Sequence, residues 1–260
     1  MNKQIAISYL IGTFLITYLM WGIIAIASQF GYLQSDPYVW SILFIIGNNA
    51  PAIMSYLVLK KEHRITGIKQ FIKNAFAIKQ KPFHYVLLLV FFAIYFGIPL
   101  LMQGVSKGAA IYMAFLNIPT VIFLGGLEEL GWRYILQPTL EKQFPFEIAT
   151  SFTACIWALW HLPLFFIVGA RATHNTLNFS LFTIAAFGMS FALATIYYVS
   201  KNIWLCILLH TLVNSFSYSW IISDTIEVKI CTTVVMIILS SVIVMYHKKK
   251  QNQIANNIQT

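Results

Sequence analysis

Apolar runs long enough to cross a bilayer divide the chain almost from end to end. A membrane-spanning helix needs about 20 mainly apolar residues. No backbone polar group in the hydrocarbon core can be left without a partner, so such runs are helical. Eight of them lie near residues 5–27, 39–59, 84–103, 109–136, 148–168, 179–199, 203–222 and 228–246. The fourth is longer than one crossing needs. It is expected to break near Pro119 or at Gly125–Gly126, or to extend past the membrane. Of 260 residues, 59% are hydrophobic and 10% charged, against about 25% charged in a soluble domain. The expected fold is an all-α polytopic bundle, a single integral-membrane domain over residues 1–260. The run from Ile5 to Ala27 exceeds the roughly 7–15 residues of a signal-peptide core, so it reads as a span.

Loop charge tests the even count. Lys3 precedes the first span, and Lys60, Lys61, Arg64, Lys69, Lys73, Lys79 and Lys81 crowd the loop after the second. Lys142 follows the fourth, Lys201 the sixth, and Lys248 to Lys250 the eighth. Eight crossings put all of these on one side. The other side receives Lys107, Arg171 and Lys229 with the acids Asp36, Asp224 and Glu227. The positive-inside rule then places both termini in the cytoplasm. The net charge of +9 is thus a topology signal and does not point to nucleic acid. In the basic loop, Ile65, Ile68, Phe71, Ile72 and Phe76 recur at helical spacing with lysines between them, the pattern of an amphipathic helix lying on the membrane surface. Cys155, Cys206 and Cys231 sit in apolar runs without framework spacing and read as small buried residues.

Five ionisable residues fall inside spans: Glu128, Glu129, Arg133, His161 and His210. A charge at a helix centre costs roughly 2.5–3.5 kcal/mol on insertion scales, so such groups face a polar interior and pair with one another. Glu129 and Arg133 are one helical turn apart on one face and form a candidate structural pair. Glu128 is rotated about 100° from Glu129 and points elsewhere, which leaves it for chemistry. His161 closes the run "WALWH", and His210 has Asn214 one turn further on. Helical rise puts Glu128 and His210 about 10–15 Å and His161 about 20 Å from the lysine-rich side. One cavity opening to the cytoplasm is expected to hold all three. A carboxylate and an imidazole can deprotonate water, and a histidine with an amide can hold an oxyanion. Alternatively, Glu128, His161 and His210 supply the oxygen and nitrogen ligands of a catalytic zinc. The H-E-x-x-H metalloprotease signature is absent.

These residues resemble the CPBP intramembrane proteases, also called the Abi or type II CAAX-prenyl-endopeptidase-like family. The E-E-x-x-x-R motif corresponds to Glu128, Glu129 and Arg133; F-x-x-x-H to Trp157 through His161, with Trp for Phe; and H-x-x-x-N to His210 and Asn214. The likeness covers about residues 110–220. It implies an intramembrane endopeptidase in which Glu128 and His161 activate water, His210 and Asn214 hold the oxyanion, and Glu129 and Arg133 are structural. A metal-free glutamate mechanism is favoured, with zinc left open. The implied partners are the lipid bilayer and a membrane-associated peptide or protein. Eukaryotic members remove a tripeptide from prenylated CAAX proteins. Bacterial relatives are linked to bacteriocin immunity, peptide maturation or surface-protein anchoring. The short, Lys- and Ile-rich chain points to a bacterial cytoplasmic membrane.

Two other classes compete. A proton-coupled transporter also uses intramembrane Glu and His, but predicts paired broken helices in inverted repeats, and none is visible. A non-catalytic immunity or scaffold protein on the same fold would tolerate loss of motif residues, and all are present. From the loop charges, a reporter fused after Lys250 is expected to read as cytoplasmic; an extracytoplasmic signal there breaks the topology.

Overall fold

The computed structural model describes residues 3–32, 37–168, 176–222 and 225–259. Asp36, Arg171 and Asp224 of the loop-charge pattern lie outside the described residues. In chain order the elements are α1 (Lys3–Gln29), α2 (Pro37–Lys61), α3 (Ile68–Ala75), α4 (Pro82–Gln103), β1 (Val105–Lys107), α5 (Ile111–Phe123), α6 (Glu129–Gly131), α7 (Gln137–Leu140), α8 (Phe146–Trp160), α9 (Thr176–Ser200), α10 (Ile203–Ser217), β2 (Trp220–Ile222) and α11 (Ile226–Gln259). The architecture is an all-α membrane bundle. Among the described residues, 7 helical stretches are long and apolar enough to cross a membrane. Leu15, Leu101 and Leu116 are among the many large apolar side chains that face outward, as expected where the surrounding solvent is lipid.

The expected span 203–222 differs. Its helix, α10, has 15 residues, which at about 1.5 Å per residue falls short of a bilayer core of roughly 30 Å. The chain after Ser217 instead turns into β2, which pairs antiparallel with β1, Lys107 opposite Trp220. The ladder satisfies backbone groups that a longer helix would have satisfied internally. Even so, α10 joins the two faces of the bundle. At its start Asn202 accepts from the Leu205 amide at 3.2 Å and donates to the Ala77 carbonyl at 3.0 Å, beside Lys79 and Lys81. At its end lies the strand paired to the far end of α4. Lys248 of α11 lies 5.9 Å from the Tyr198 ring near the end of α9. The last helix therefore runs back to the end of α9, beside Lys201.

The long fourth span is broken, and the break falls at the glycines. Pro119 stays within α5. Helix α5 stops at Phe123, whose carbonyl accepts from the side-chain amides of Asn48 at 3.2 Å and Asn49 at 3.0 Å. The second half winds through a 3-10 turn at Gly126–Glu128, then α6, a π-turn at Trp132–Leu136, and α7. A Cβ on Gly125 would lie 2.6 Å from Asn214 Nδ2, and one on Gly126 would lie 3.1 Å from Ile207 Cγ2. Both glycines thus allow the break to press against α10.

Fully buried aromatics hold the centre. Trp160 packs on Trp21 (ring centroids 4.8 Å apart) and on Trp132 (5.6 Å). Its indole donates to Thr17 at 2.7 Å, which satisfies the one polar atom that burial would strand. The surface helix expected in the basic loop is α3. Its Phe71 and Ala75 are buried, with Phe71 5.5 Å from Tyr56, while Ile68 and Ile72 stay exposed. The apolar set is therefore split between the bundle and the surface.

Candidate active site

The broken helix delivers two adjacent carboxylates to different neighbours. Glu129 has no exposed surface, and neither has Arg133. Arg133 Nη1 lies 3.1 Å from Glu129 Oε2, so the pair read from the spacing is formed. Glu129 also has a second partner, His210 Nδ1, 2.8 Å from Oε1. Arg133 Nη2 donates to Ser190 Oγ at 2.7 Å, and the guanidinium lies 5.0 Å from the Trp157 ring centroid. This buried cluster ties α9 and α10 to the second half of the broken helix.

Glu128 is buried but turned the other way. Its Oε2 accepts from Trp157 Nε1 at 3.0 Å and lies 3.9 Å from His161 Nε2. His161 caps α8, with Nδ1 2.9 Å from the Trp157 carbonyl oxygen. A carbonyl only accepts, so Nδ1 carries the proton, and in the neutral ring Nε2 is an acceptor. The 3.9 Å gap is too long for a direct hydrogen bond. It suits one oxygen atom that donates a proton to each side.

A cavity of about 480 Å³ brings together Glu128, Trp157, His161, His210 and Asn214. Asn214 is half-buried and has no hydrogen-bond partner among the described residues. All four expected catalytic residues thus line one space, with Glu129 and Arg133 beneath it. Its walls also include Phe44 and Asn48 of α2, Tyr95 of α4, Leu164 and Phe165 beyond α8, Asn178 of α9 and Lys229 of α11.

The zinc alternative meets a constraint in the donor set. Among the described residues no three His, Cys, Asp or Glu side chains converge to hold a metal ion. His210 Nδ1 faces Glu129 and His161 Nδ1 faces a carbonyl, which leaves each ring its Nε2. As arranged, Glu128, His161 and His210 do not form a three-ligand set.

Three contacts escaped the sequence. Trp157 registers there as an aromatic in place of Phe; its N–H on Glu128 is what Phe would lack. Ser190 gives no signal, being one small residue in an apolar helix. The link from Glu129 to His210 joins positions 81 apart, beyond any local periodicity.

Long apolar helices around a broken span, a buried ion-pair cluster and a carboxylate facing an imidazole on one cavity wall belong to an integral membrane protein. Residues 83–216 match the family described as type II CAAX prenyl endopeptidase Rce1-like, a stretch that includes the motif residues from Glu128 to Asn214. The chain belongs to this family. It is also similar to CAAX prenyl protease 2 of Methanococcus maripaludis, with 26% identity over 212 residues covering 76% of this chain and 75% of that protein.

Removing one partner of a buried ion pair leaves the other charge uncompensated, at a cost of about 3–5 kcal/mol. Arg133→Ala is therefore expected to lower the amount of folded protein in membranes and its melting temperature in detergent. Unchanged abundance and melting would show that the pair does not hold the site together.

Proposed function

We propose that the chain is an intramembrane endopeptidase that hydrolyses a peptide bond of a membrane-associated peptide or protein, with Glu128 as general base. The observation that carries this reading is the pair of acceptors, Glu128 Oε2 and His161 Nε2, 3.9 Å apart on the cavity wall. A water molecule between them donates one hydrogen to each, which leaves an oxygen lone pair for the scissile carbonyl carbon. As the C–O bond forms, Glu128 takes the water proton and the carbonyl oxygen becomes an oxyanion. In this scheme the Asn214 amide and the ring of His210, tethered through Nδ1 to Glu129, hold that oxygen. Collapse of the tetrahedral intermediate breaks the C–N bond, and Glu128 returns its proton to the leaving nitrogen.

Trp157 acts as a positioning residue in this scheme. Its indole N–H fixes the Glu128 carboxylate, and its ring supports Arg133. Family membership and the relative's name support peptide-bond hydrolysis as the reaction class. The relative is named for prenylated CAAX substrates; for this chain the same site accounts for hydrolysis with or without a prenyl group.

The test compares membrane peptides, by mass spectrometry, from cells carrying wild type and Glu128→Gln. General-base catalysis contributes roughly 10²–10⁴-fold, so cleavage by Glu128→Gln should fall at least that far while abundance and melting stay unchanged. Asn214→Ala should lower turnover by about 10²–10³ if it donates to the oxyanion. Near wild-type cleavage by Glu128→Gln would overturn the assignment.

A hydrogen bond to a charged group contributes about 1.5–3 kcal/mol. Trp157→Phe, which keeps a ring beneath Arg133, is therefore expected to reduce kcat by tenfold or more with KM little changed. A rise in KM at constant kcat would instead place Trp157 in substrate binding.

A further inference from the structure

We infer that α1 sets the separation between Glu128 and His161, and that Thr17 is the positioning residue at the join. The consequence for turnover rests on the function proposed above; the consequence for spacing does not. Glu128 and His161 lie on different segments, and their facing atoms, 3.9 Å apart, are not bonded to each other. Each is therefore placed by what its own segment packs against. Helix α1 packs against both segments, although it lies outside the residues 83–216 that match the family.

A buried stripe makes the two contacts. Tyr9, Thr13, Thr17 and Trp21 recur at every fourth residue, so they share one helix face, and none has exposed surface. Ile11, Leu15 and Leu19, at the same spacing, face outward. At one end of the stripe, Tyr9 meets the segment that carries the two glutamates. A Cβ on Gly131 would collide with the Tyr9 hydroxyl, and the Tyr9 ring stands edge-on to Trp132 at 5.7 Å. Two turns further along, Thr17 meets the histidine segment. Its hydroxyl accepts from the Trp160 indole at 2.7 Å and donates to the Gly47 carbonyl at 2.7 Å. Trp21 packs 4.8 Å from the Trp160 ring and 6.3 Å from the His161 ring, and its indole donates to the Phe44 carbonyl at 3.1 Å.

His161 needs this support because α8 ends at Trp160 and the chain continues in a 3-10 turn at Leu162–Phe166. Backbone groups at the end of a helix lack partners within it, and α1 supplies several here. Tyr18 donates to the Leu159 carbonyl at 2.6 Å, and Gln29 donates to the Phe166 carbonyl at 2.8 Å. Ser28 accepts from the Val168 amide at 2.9 Å. With the bond from Trp160 to Thr17, side chains of α1 hold the chain on both sides of His161. The Trp157 indole also ties Glu128 to α8, but it does so one turn before His161. That bond fixes the carboxylate against the body of the helix and leaves the residue past its end to α1. Misplacing reacting groups by about 1 Å can cost about 10²-fold in rate, so a loosened end of α8 is felt in turnover.

The test reads two variants of the full chain in detergent, each in two ways. Thr17→Val removes the hydroxyl shared by Trp160 and Gly47. Tyr18→Phe removes the bond to Leu159 at an exposed position, so it reports even where Thr17→Val lowers the amount of folded protein. The first readout is spacing. In a chain without Cys155, Cys206 and Cys231, Glu128→Cys combined with His161→Cys is treated with dibromobimane, which fluoresces once two neighbouring thiols have both reacted. This parent pair is expected to crosslink, Thr17→Val and Tyr18→Phe to slow it several-fold, and Thr17→Ser, which keeps the hydroxyl, to restore the parent rate. The second readout is cleavage of the membrane peptides that distinguish wild type from Glu128→Gln. In Thr17→Val, kcat is expected to fall about 10–100-fold with KM little changed, and Thr17→Ser to recover it. Parent crosslinking rates in both variants, or no crosslinking of the parent pair, would overturn the inference. Altered crosslinking with unaltered kcat would overturn the role in turnover. Normal cleavage by Glu128→Gln would instead remove the proposed enzyme function and leave the spacing result standing.

Discussion

Glu129 is the group on which the rest of the structure depends. An ionised carboxylate with no exposed surface inside a membrane bundle is tolerable only when its charge and lone pairs are met. Arg133 supplies the opposite charge from one turn away, and His210 supplies a donor from another helix. Arg133 in turn reaches Ser190 on α9. A single acidic residue thereby fixes the mutual placement of three segments. Because Asn214 rides one turn beyond His210 on α10, the same tie also sets where that amide stands relative to Glu128. Support and chemistry are coupled through one helix face.

The break in the fourth span makes room for this arrangement. Irregular backbone at membrane depth persists only where protein groups replace water as partners, and Asn48 and Asn49 do so at the Phe123 carbonyl. Gly125 and Gly126 then bring the backbone so close to α10 that side chains on them would strike Asn214 and Thr211. The two glutamates enter at the start of the second half. The π-turn at Trp132–Leu136 sits directly after them, a local rewinding of the kind often found beside functional groups.

Much of this was legible because membranes impose coarse rules. Apolar length predicts seven of the helices as long spans, and α10 departs in length, its expected last residues leaving the helix for β2. The Gly125–Gly126 break was one of two expected places. The Glu129–Arg133 pair followed from helical spacing, since both partners share one segment. What the sequence concealed depends on packing between segments: the second partner of Glu129, the Ser190 contact, and the indole hydrogen bond to Glu128.

The buried layer beneath the cavity also bears on the transporter reading. A carrier must expose its site to each face in turn, which requires the layer beneath the site to part. Here that layer holds Leu193 and Ile196 and, at its centre, the Glu129–Arg133 pair with His210 bound to it. Opening it would separate buried charges, at about 3–5 kcal/mol for each broken pair, before any disruption of the apolar packing around them. A hydrolase makes no such demand. It needs its groups held at fixed separations. The same buried pairs that make alternating access costly are those that hold Glu129, Arg133 and His210 in register beneath Glu128 and Asn214.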